Sequence, residues 1–224
     1  MSTQAPPVHI GILLYQDFEA LDIFGPLNCL NALSRDFPLQ ISILTPETTL
    51  KPLNTYPSDP GPHNSNFTQA VVPTHTTADP PKDLEVIFIP GGNGMYVDTP
   101  AISAAVQFVK DTYPKLRYLN TICTGSALLA RTGILDGRRA TSNKAFYKIV
   151  TAERPAVNWI PKARWVVDGN IYTSSGVTAG IDMTLAFIQD VYGRKYADEI
   201  ADRLEYDRML NPDEDPFAAK YGLA

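Results

Sequence analysis

The sequence predicts a three-layer α/β fold, in which helices cover both faces of a mostly parallel central sheet. Strand-like and helix-like segments alternate along the chain, as in parallel sheets built from strand–helix–strand units. Segment 84–89 (LEVIFI) is a continuous apolar run, which is typical of a strand buried on both faces. With 224 residues, 44% of them hydrophobic, the chain is long enough for a single domain, 1–224, with a sizeable core.

The first half of the chain predicts two strands, one helix and then a long irregular segment. Residues 45–82 are rich in Pro, Thr, Asn and Ser, and this density of turn formers predicts an insertion. Such an insertion is either a variable surface segment or one wall of a functional pocket. The predicted elements are a strand at His9–Leu14, a helix at Phe24–Leu33 with Pro26 in its first turn, a strand at Leu39–Leu44 and a short hairpin around Gln69–Val72.

The second half continues the alternation and ends in two helices. Asp168-Gly169 between two short apolar segments predicts a hairpin, and the alternation of charged and apolar residues after Arg194 predicts an amphipathic helix. The predicted strands are Leu84–Ile89, Leu116–Ile122, Arg139–Thr141, Ala163–Val167 and Asn170–Thr173, and the predicted helices are Ile102–Tyr113, Gly125–Ile134, Lys144–Glu153, Val177–Tyr192 and Arg194–Leu210.

Composition excludes several classes of function. The net charge of −5 argues against a nucleic-acid partner, which would need a basic face. No apolar run approaches the ~20 residues of a membrane span, and the N-terminus lacks the pattern of a secretory signal. Two cysteines give no disulfide framework, so we expect a cytoplasmic protein. Too few His and Cys residues exist at suitable spacing for a metal site, and no cofactor is predicted.

Cys123 is the principal candidate for chemistry. It lies at the junction of a predicted strand and a predicted helix, where α/β folds bind their ligands. A sharp turn there would push the thiol into the site, and Gly125 leaves room for the turn. The helix N-terminus lowers the pKa of a thiol, so we expect a thiolate at neutral pH. Cys29, on an apolar helix face, is expected to pack in the core.

Two further segments follow neighbouring strands. Gly91 and Gly92 end the buried strand at 84–89, and the backbone N–H groups of Gly92 and Thr124 could together form an oxyanion hole. After the first strand, the acidic residues Glu19 and Asp22 lie among apolar ones. An acid in an apolar pocket has a raised pKa and can hold a proton near pH 7, whereas the alternative is a helix cap or a turn.

Five segments in order resemble the ThiJ/PfpI superfamily, and within it the isocyanide hydratase-like branch. They are LDIFGP (21–26), IFIPGG (87–92), ICTGS (122–126), GILDGRRATS (133–142) and SGVTAGIDM (175–183). They span nearly the whole chain outside the 45–82 insertion. The resemblance implies a flavodoxin-like or Rossmann-like sandwich of the class I glutamine amidotransferase type.

The resemblance also implies roles for particular residues. Cys123 would be the nucleophile, and Asp22 its hydrogen-bonded acid–base partner. Gly92 and Thr124 would donate backbone N–H groups, next to Gly91 on the substrate side. Many relatives carry a histidine where this chain has Asn143. All three histidines precede Cys123, so the resemblance excludes an amidotransferase triad, which needs a histidine downstream of the cysteine.

The resemblance therefore implies a hydratase or lyase, with isocyanide hydration to an N-substituted formamide preferred. The alternatives are a glyoxalase III-like 2-oxoaldehyde hydratase and a non-catalytic redox or stress sensor in which Cys123 is oxidised reversibly. A regulator fused to a DNA-binding domain is not expected, because the chain holds one domain. A homodimer is expected, with the last two helices and the 45–82 segment offering additional surface.

Overall fold

A computed structural model describes residues 5–55 and 61–223. Its centre is a seven-stranded sheet built on the apolar segments that the alternation predicts. Eleven strands are present in the described ranges: β1 His9–Leu13, β2 Gln40–Thr45, β3 Leu53–Asn54, β4 Ala70–Val71, β5 His75–Thr76, β6 Val86–Ile89, β7 Tyr118–Thr121, β8 Arg139–Ala140, β9 Asn158–Trp159, β10 Trp165–Asp168 and β11 Ile171–Ser174.

The sheet is mostly parallel, as predicted. Its strand order is β10-β11-β7-β6-β1-β2-β5, and only the pair β10–β11 is antiparallel. Strand β6 lies between β1 and β7 and is buried along its whole length, as its continuous apolar sequence requires. The loops after β1, β6, β7 and β11 therefore meet at one edge of the sheet, where the strands end.

Seven helices flank the sheet in the described ranges. Helices α1, α5 and α6 pack against one another, and α2, α3 and α4 form a second group. This arrangement confirms the predicted three-layer α/β class. The helices are α1 Ala20–Leu33, α2 Pro100–Thr112, α3 Gly125–Arg131, α4 Tyr147–Glu153, α5 Ala179–Val191, α6 Arg194–Arg203 and α7 Pro216–Lys220.

Helix α1 begins four residues earlier than predicted. Pro26 is therefore inside the helix and not in its first turn, and Glu19 is the N-cap with extended backbone. Because a proline has no N–H, the carbonyl of Asp22, four residues earlier, receives no helical hydrogen bond from position 26. The contact that fixes this start is not local: Glu19 N–H donates to Gly91 O at 2.9 Å. The earlier start places Asp22 in the first helical turn.

Three other predictions were wrong. The predicted helix over 194–210 ends at Arg203, because Glu205 adopts a left-handed φ of 49°. The 45–82 insertion contributes an edge strand, β5, which pairs in parallel with β2. The hairpin predicted around Gln69–Val72 is not formed, because strand β4 lies at that place and pairs antiparallel with β3, sixteen or more residues earlier in the chain. Residues 56–60 lie outside the described part. In the described ranges, no helix is both long and apolar enough to cross a membrane.

Candidate active site

Cys123 lies on the tight turn between β7 and α3, and its backbone is left-handed with a φ of 58°. This conformation is uncommon for a residue with a Cβ and is maintained by surrounding contacts. Its N–H donates to Ser175 O at 3.0 Å, and its carbonyl accepts hydrogen bonds from Ser126 Oγ and Ser142 Oγ, both at 3.2 Å. These three serines hold the turn, so the strained backbone places the thiol where the strands end.

The thiol has a hydrogen-bond donor that the sequence analysis treated only as a missing histidine. Asn143 Nδ2 donates to Cys123 Sγ at 3.1 Å. The other end of this amide accepts the N–H of Ala145 at 2.8 Å, which orients the NH₂ group toward sulfur. The N–H of Thr124 also interacts with the sulfur. Negative charge that develops on Cys123 therefore meets two donors.

Asp22 is completely buried beside the thiol. Its Oδ2 accepts the N–H of Gly91 at 2.7 Å, whereas its Oδ1 has no conventional hydrogen-bond partner among the described residues. Burial raises the pKa of this carboxyl, with a smaller contribution from the negative charge of Glu19, while the Gly91 N–H and the Cys123 thiol oppose the shift; the resulting pKa is about 8. Asp22 therefore holds a proton at neutral pH, as its apolar sequence context predicted.

Burial of the sulfur argues against the expected thiolate at neutral pH. Burial raises the pKa of the Cys123 thiol well above its usual range, and the neighbouring Asp22 carboxyl adds to the shift. The hydrogen bonds from Asn143 and Thr124 lower the pKa only in part. The desolvation of sulfur on a buried turn outweighs the effect of the helix N-terminus. Without substrate, the site therefore holds a thiol next to a protonated carboxyl.

The two glycines after β6 fit closely between Asp22 and the cysteine turn. A Cβ on Gly91 would lie 2.7 Å from Thr124 N, and a Cβ on Gly92, whose φ is 142°, would lie 2.4 Å from Asp17 O. The N–H of Gly91 is already bound by Asp22, and that of Gly92 faces Thr124 Oγ1 at 3.3 Å. The structure thus brings these predicted residues together, with the glycine N–H groups engaged by side chains.

A pocket of about 240 Å³ opens over the sulfur. It combines polar groups near Cys123 with aromatic and aliphatic side chains around them, which suits a small organic molecule that carries one reactive group. Asp22 interacts with the Cys123 thiol but is not one of the residues on the pocket wall. The lining residues are Glu19, Gly92, Asn93, Tyr96, Cys123, Thr124, Asn143, Phe146 and Val177.

Other candidates lie elsewhere. Cys29 is fully buried in the core, as expected, and burial raises its pKa to about 12. His9 on β1 pairs with Ser42 and Asp83, and His75 lies on the edge strand β5. Within the described ranges, no group of three or more His, Cys, Asp or Glu side chains could hold a metal ion.

Three residues of this region were missed by sequence reasoning. Asn143 had a usable signal, because an amide at the position of a histidine can also donate to sulfur. Tyr15 had none: its hydroxyl donates to Pro90 O at 2.6 Å and fixes the end of β6. Tyr96, four residues after Gly92, reaches the pocket only because the segment Asn93–Tyr96 turns back as a 3₁₀ helix.

The chain is similar to known proteins over most of its length. Residues 8–190 match the DJ-1/PfpI family. An isonitrile hydratase from Pseudomonas putida is 32% identical over 202 residues, which cover 89% of this chain and 78% of that protein. An HTH-type transcriptional regulator, CdhR of Pseudomonas aeruginosa, is 29% identical over 65% of this chain but only 44% of its own length.

Solved structures agree with these matches. A ThiJ/PfpI family protein from Pseudomonas syringae superposes with a TM-score of 0.73 at 28% identity, over 95% of this chain and 78% of that one. Drosophila melanogaster DJ-1beta superposes with a TM-score of 0.67 at 17% identity, over 89% of this chain and 98% of its own, which shows the shared fold alone.

Proposed function

The chain belongs to the DJ-1/PfpI family, and we propose that it is a cysteine-dependent hydratase that converts an isocyanide to an N-substituted formamide. The observation that carries the proposal is the fully buried Asp22 carboxyl beside the Cys123 thiol, where an amide replaces the histidine that would otherwise accept the thiol proton. Burial favours the protonated form of this carboxyl at neutral pH. The similarity to an isonitrile hydratase over 78% of that protein supports the same substrate class.

The first step forms a carbon–sulfur bond. Cys123 Sγ attacks the terminal carbon of the isocyanide while Asp22 gives its proton to that carbon and takes the proton of the thiol. Asp22 thus ends the step as it began, protonated, and the carbon becomes a thioformimidate bound to sulfur. A neutral thiol and a neutral carboxyl are the starting forms that this exchange needs, because each partner both gives and receives a proton.

The second step uses water. Water adds to the thioformimidate carbon, the carbon–sulfur bond breaks, and sulfur regains a proton. The sum is isocyanide plus water to formamide, with no oxidant or cofactor consumed. The donors from Asn143 and Thr124 stabilise the sulfur as it leaves with negative charge.

The direct test is turnover of a simple aryl isocyanide, followed by chromatography of the formamide. We expect product from the wild-type protein and none from Cys123→Ser. Cys29→Ser is the matched control, because this thiol is buried in the core, and it should retain activity. Absence of formamide from a panel of alkyl and aryl isocyanides, or full activity of Cys123→Ser, would refute the proposal.

A second candidate is hydration of a 2-oxoaldehyde to a 2-hydroxy acid. It is favoured by one observation: Glu19, and not Asp22, lies on the pocket wall with Cys123. In this reaction the thiol forms a hemithioacetal, and a carboxylate moves a proton between adjacent carbons. Loss of activity in Glu19→Gln with retention in Asp22→Asn, measured on both substrate classes, would replace the first proposal with this one.

The redox-sensor alternative is less well supported. Reaction with peroxide needs a thiolate, and burial holds Cys123 as a thiol. A sensor would be oxidised at Cys123 by stoichiometric peroxide while it turned over neither substrate class. Mass mapping of the two cysteines after peroxide treatment tests this directly.

We also propose a cytoplasmic homodimer. Leu21 and Phe24 on α1 are 39% and 40% exposed, and they border a groove that Ile181 and Leu204 continue. A second copy of the chain would cover this apolar surface. Sedimentation at micromolar concentration should give a dimer, and Phe24→Glu should give a monomer; a wild-type monomer would contradict the proposal.

A further inference from the structure

Tyr96 forms the wall of the pocket next to Cys123 and is held firmly in place. It ends the 3₁₀ turn Asn93–Tyr96 that follows the two glycines. Arg131 Nη1 donates to Met95 O at 2.7 Å, and the Arg131 guanidinium carbon lies 5.8 Å from the centre of the Tyr96 ring. Glu153 holds the same guanidinium in an ion pair at 3.1 Å. The ring is therefore fixed from its outer side.

The hydroxyl of Tyr96 is shielded from solvent, and no group in the described residues pairs with it in a hydrogen bond of ordinary length and angle. The Thr124 side chain is a polar neighbour near enough to interact with the phenol oxygen. A buried hydroxyl without a full partner is costly, so such a group is suited to bind a polar atom of the substrate. The charges of Glu153 and Arg131 act on it from its outer side, and Cys123 acts on it from the reacting end of the pocket. Burial raises the pKa of the phenol to about 12, so it is a donor at neutral pH.

The proposed reaction needs such a donor in its second step only. The nitrogen of an isocyanide has no free lone pair, so the attack of Cys123 gives a phenol nothing to bind. Once sulfur has added, the nitrogen of the thioformimidate carries a lone pair. Water adds to the carbon faster when this nitrogen receives a proton. Asp22 interacts with the Cys123 thiol and does not line the pocket. A carboxylate at Glu19 would accept hydrogen bonds and not donate them.

We propose that Tyr96 is a further catalytic residue, the proton donor to the substrate nitrogen during hydrolysis of the thioformimidate. The inference rests on the proposed isocyanide hydration. The phenol gives its proton to nitrogen as water adds to carbon, and a proton of that water returns to the phenolate. Collapse of the resulting adduct moves its hydroxyl proton to sulfur, breaks the carbon–sulfur bond and forms the formamide carbonyl.

The test separates the two steps in Tyr96→Phe by intact-protein mass spectrometry after rapid quenching with an aryl isocyanide. We expect adduct formation at a rate within ~3-fold of wild type, kcat reduced by ~100-fold, and accumulation of a protein adduct heavier by one isocyanide. The wild-type protein should not accumulate this adduct. A loss confined to hydrolysis of the adduct would show that the hydroxyl takes part in the reaction. A variant whose pocket wall is only distorted would instead be slowed in both steps.

Tyr147→Phe is the matched control. The hydroxyl of Tyr147 is also buried and without a hydrogen-bond partner in the described chain, but this residue lies on α4 and does not line the pocket. It should behave as wild type. Wild-type turnover together with an unimpaired Tyr96→Phe, or with equal loss of both steps, would overturn this inference alone. A wild-type protein that makes no formamide would overturn the proposed function and this inference with it.

Discussion

Asp22 and Asp182 lie near the start of two neighbouring helices and have opposite surroundings. Each lies in the first turn of its helix, α1 or α5, and these two helices pack against each other. Their exposed fractions are 0% and 1%. Asp182 Oδ2 accepts from Arg164 Nε at 2.6 Å and its Oδ1 accepts from Met209 N–H at 2.9 Å.

Among the described residues, no cationic side chain forms an ion pair with Asp22. It receives one backbone N–H, from Gly91, and its second oxygen has no conventional partner among the described residues. Two equally buried aspartates therefore differ in role. Asp182 forms a structural ion pair with Arg164, whereas Asp22 can hold a proton beside the thiol. A buried acid supports chemistry when its partner is a nucleophile, and it supports the fold when its partner is a cation.

The largest difference between the two aspartates should appear in the free energy of unfolding of their asparagine variants. Asp182→Asn leaves the buried Arg164 guanidinium without its counter-charge, so we expect a loss of ~3–5 kcal/mol in the free energy of unfolding. Denaturant titration measures it. An unchanged midpoint would show that the ion pair does not stabilise the fold and would remove the contrast with Asp22.

Asp22→Asn should have the opposite effect on stability while it disables catalysis. We expect kcat to fall by ~100-fold or more, because the amide cannot exchange protons with the thiol. Glu19→Gln, which neutralises the neighbouring acid, should lower kcat much less. Full activity of Asp22→Asn would end its assignment as acid–base partner.

The same variant should unfold at a higher temperature than wild type near neutral pH. The folded-state pKa of Asp22, about 8, exceeds its ordinary value of 3.8. The unfolded chain therefore releases this proton earlier, and the wild type loses stability as pH rises from 3.8 to 8. The loss is ~1.4 kcal/mol per pH unit at most, so the gain of Asp22→Asn at pH 7 has a ceiling of ~4 kcal/mol. Melting curves at pH 4 and pH 7 should diverge accordingly.

The pH profile of kcat/KM should follow the proton on Asp22. Activity should be constant around neutrality and fall above about pH 8, since the carboxyl that gives a proton to carbon is then ionised. Above that point each further pH unit should cost ~10-fold. A rate that rises through pH 8 would show that the thiolate, and not the protonated carboxyl, limits the reaction.

The smallest expected effect belongs to the donor on sulfur. Asn143→Leu removes the hydrogen bond from Nδ2 to Cys123 Sγ but keeps the branching and the number of heavy atoms of the asparagine side chain. We expect kcat to fall ~10-fold, the usual contribution of one hydrogen bond to a charged group. Ala145→Gly, which keeps the N–H that orients the amide, is the control and should be nearly neutral.

Sequence patterns predicted the fold and the position of Cys123 because both depend on local periodicity. The alternation of apolar segments predicted the strands β6, β7, β8, β10 and β11, although not β9, and ICTGS predicted the turn between β7 and α3. The start of α1 was predicted four residues too late, because a contact between Glu19 N–H and Gly91 O, far apart in sequence, defines it.

The protonation states were harder to predict from sequence. The helix N-terminus at Cys123 favours a thiolate, but burial, which depends on the packed loops, outweighs it. The sequence did not predict an ion pair at Asp182, because its partner Arg164 lies in a separate segment of the chain. The sequence could not predict a role for Tyr96, because only the folded turn after Gly92 brings this residue to the pocket wall next to Cys123.

The glycine segment also constrains how this protein can evolve. A Cβ at Gly92 would lie 2.4 Å from Asp17 O and one at Gly94 would overlap Gln16 O, so neither glycine accepts a side chain without movement of the loop after β1. Phe146, which also lines the pocket, is 40% exposed and is not enclosed in this way. We therefore expect related proteins to acquire new substrates through replacements at positions such as Phe146 more readily than at the glycines, while the reactive groups stay unchanged.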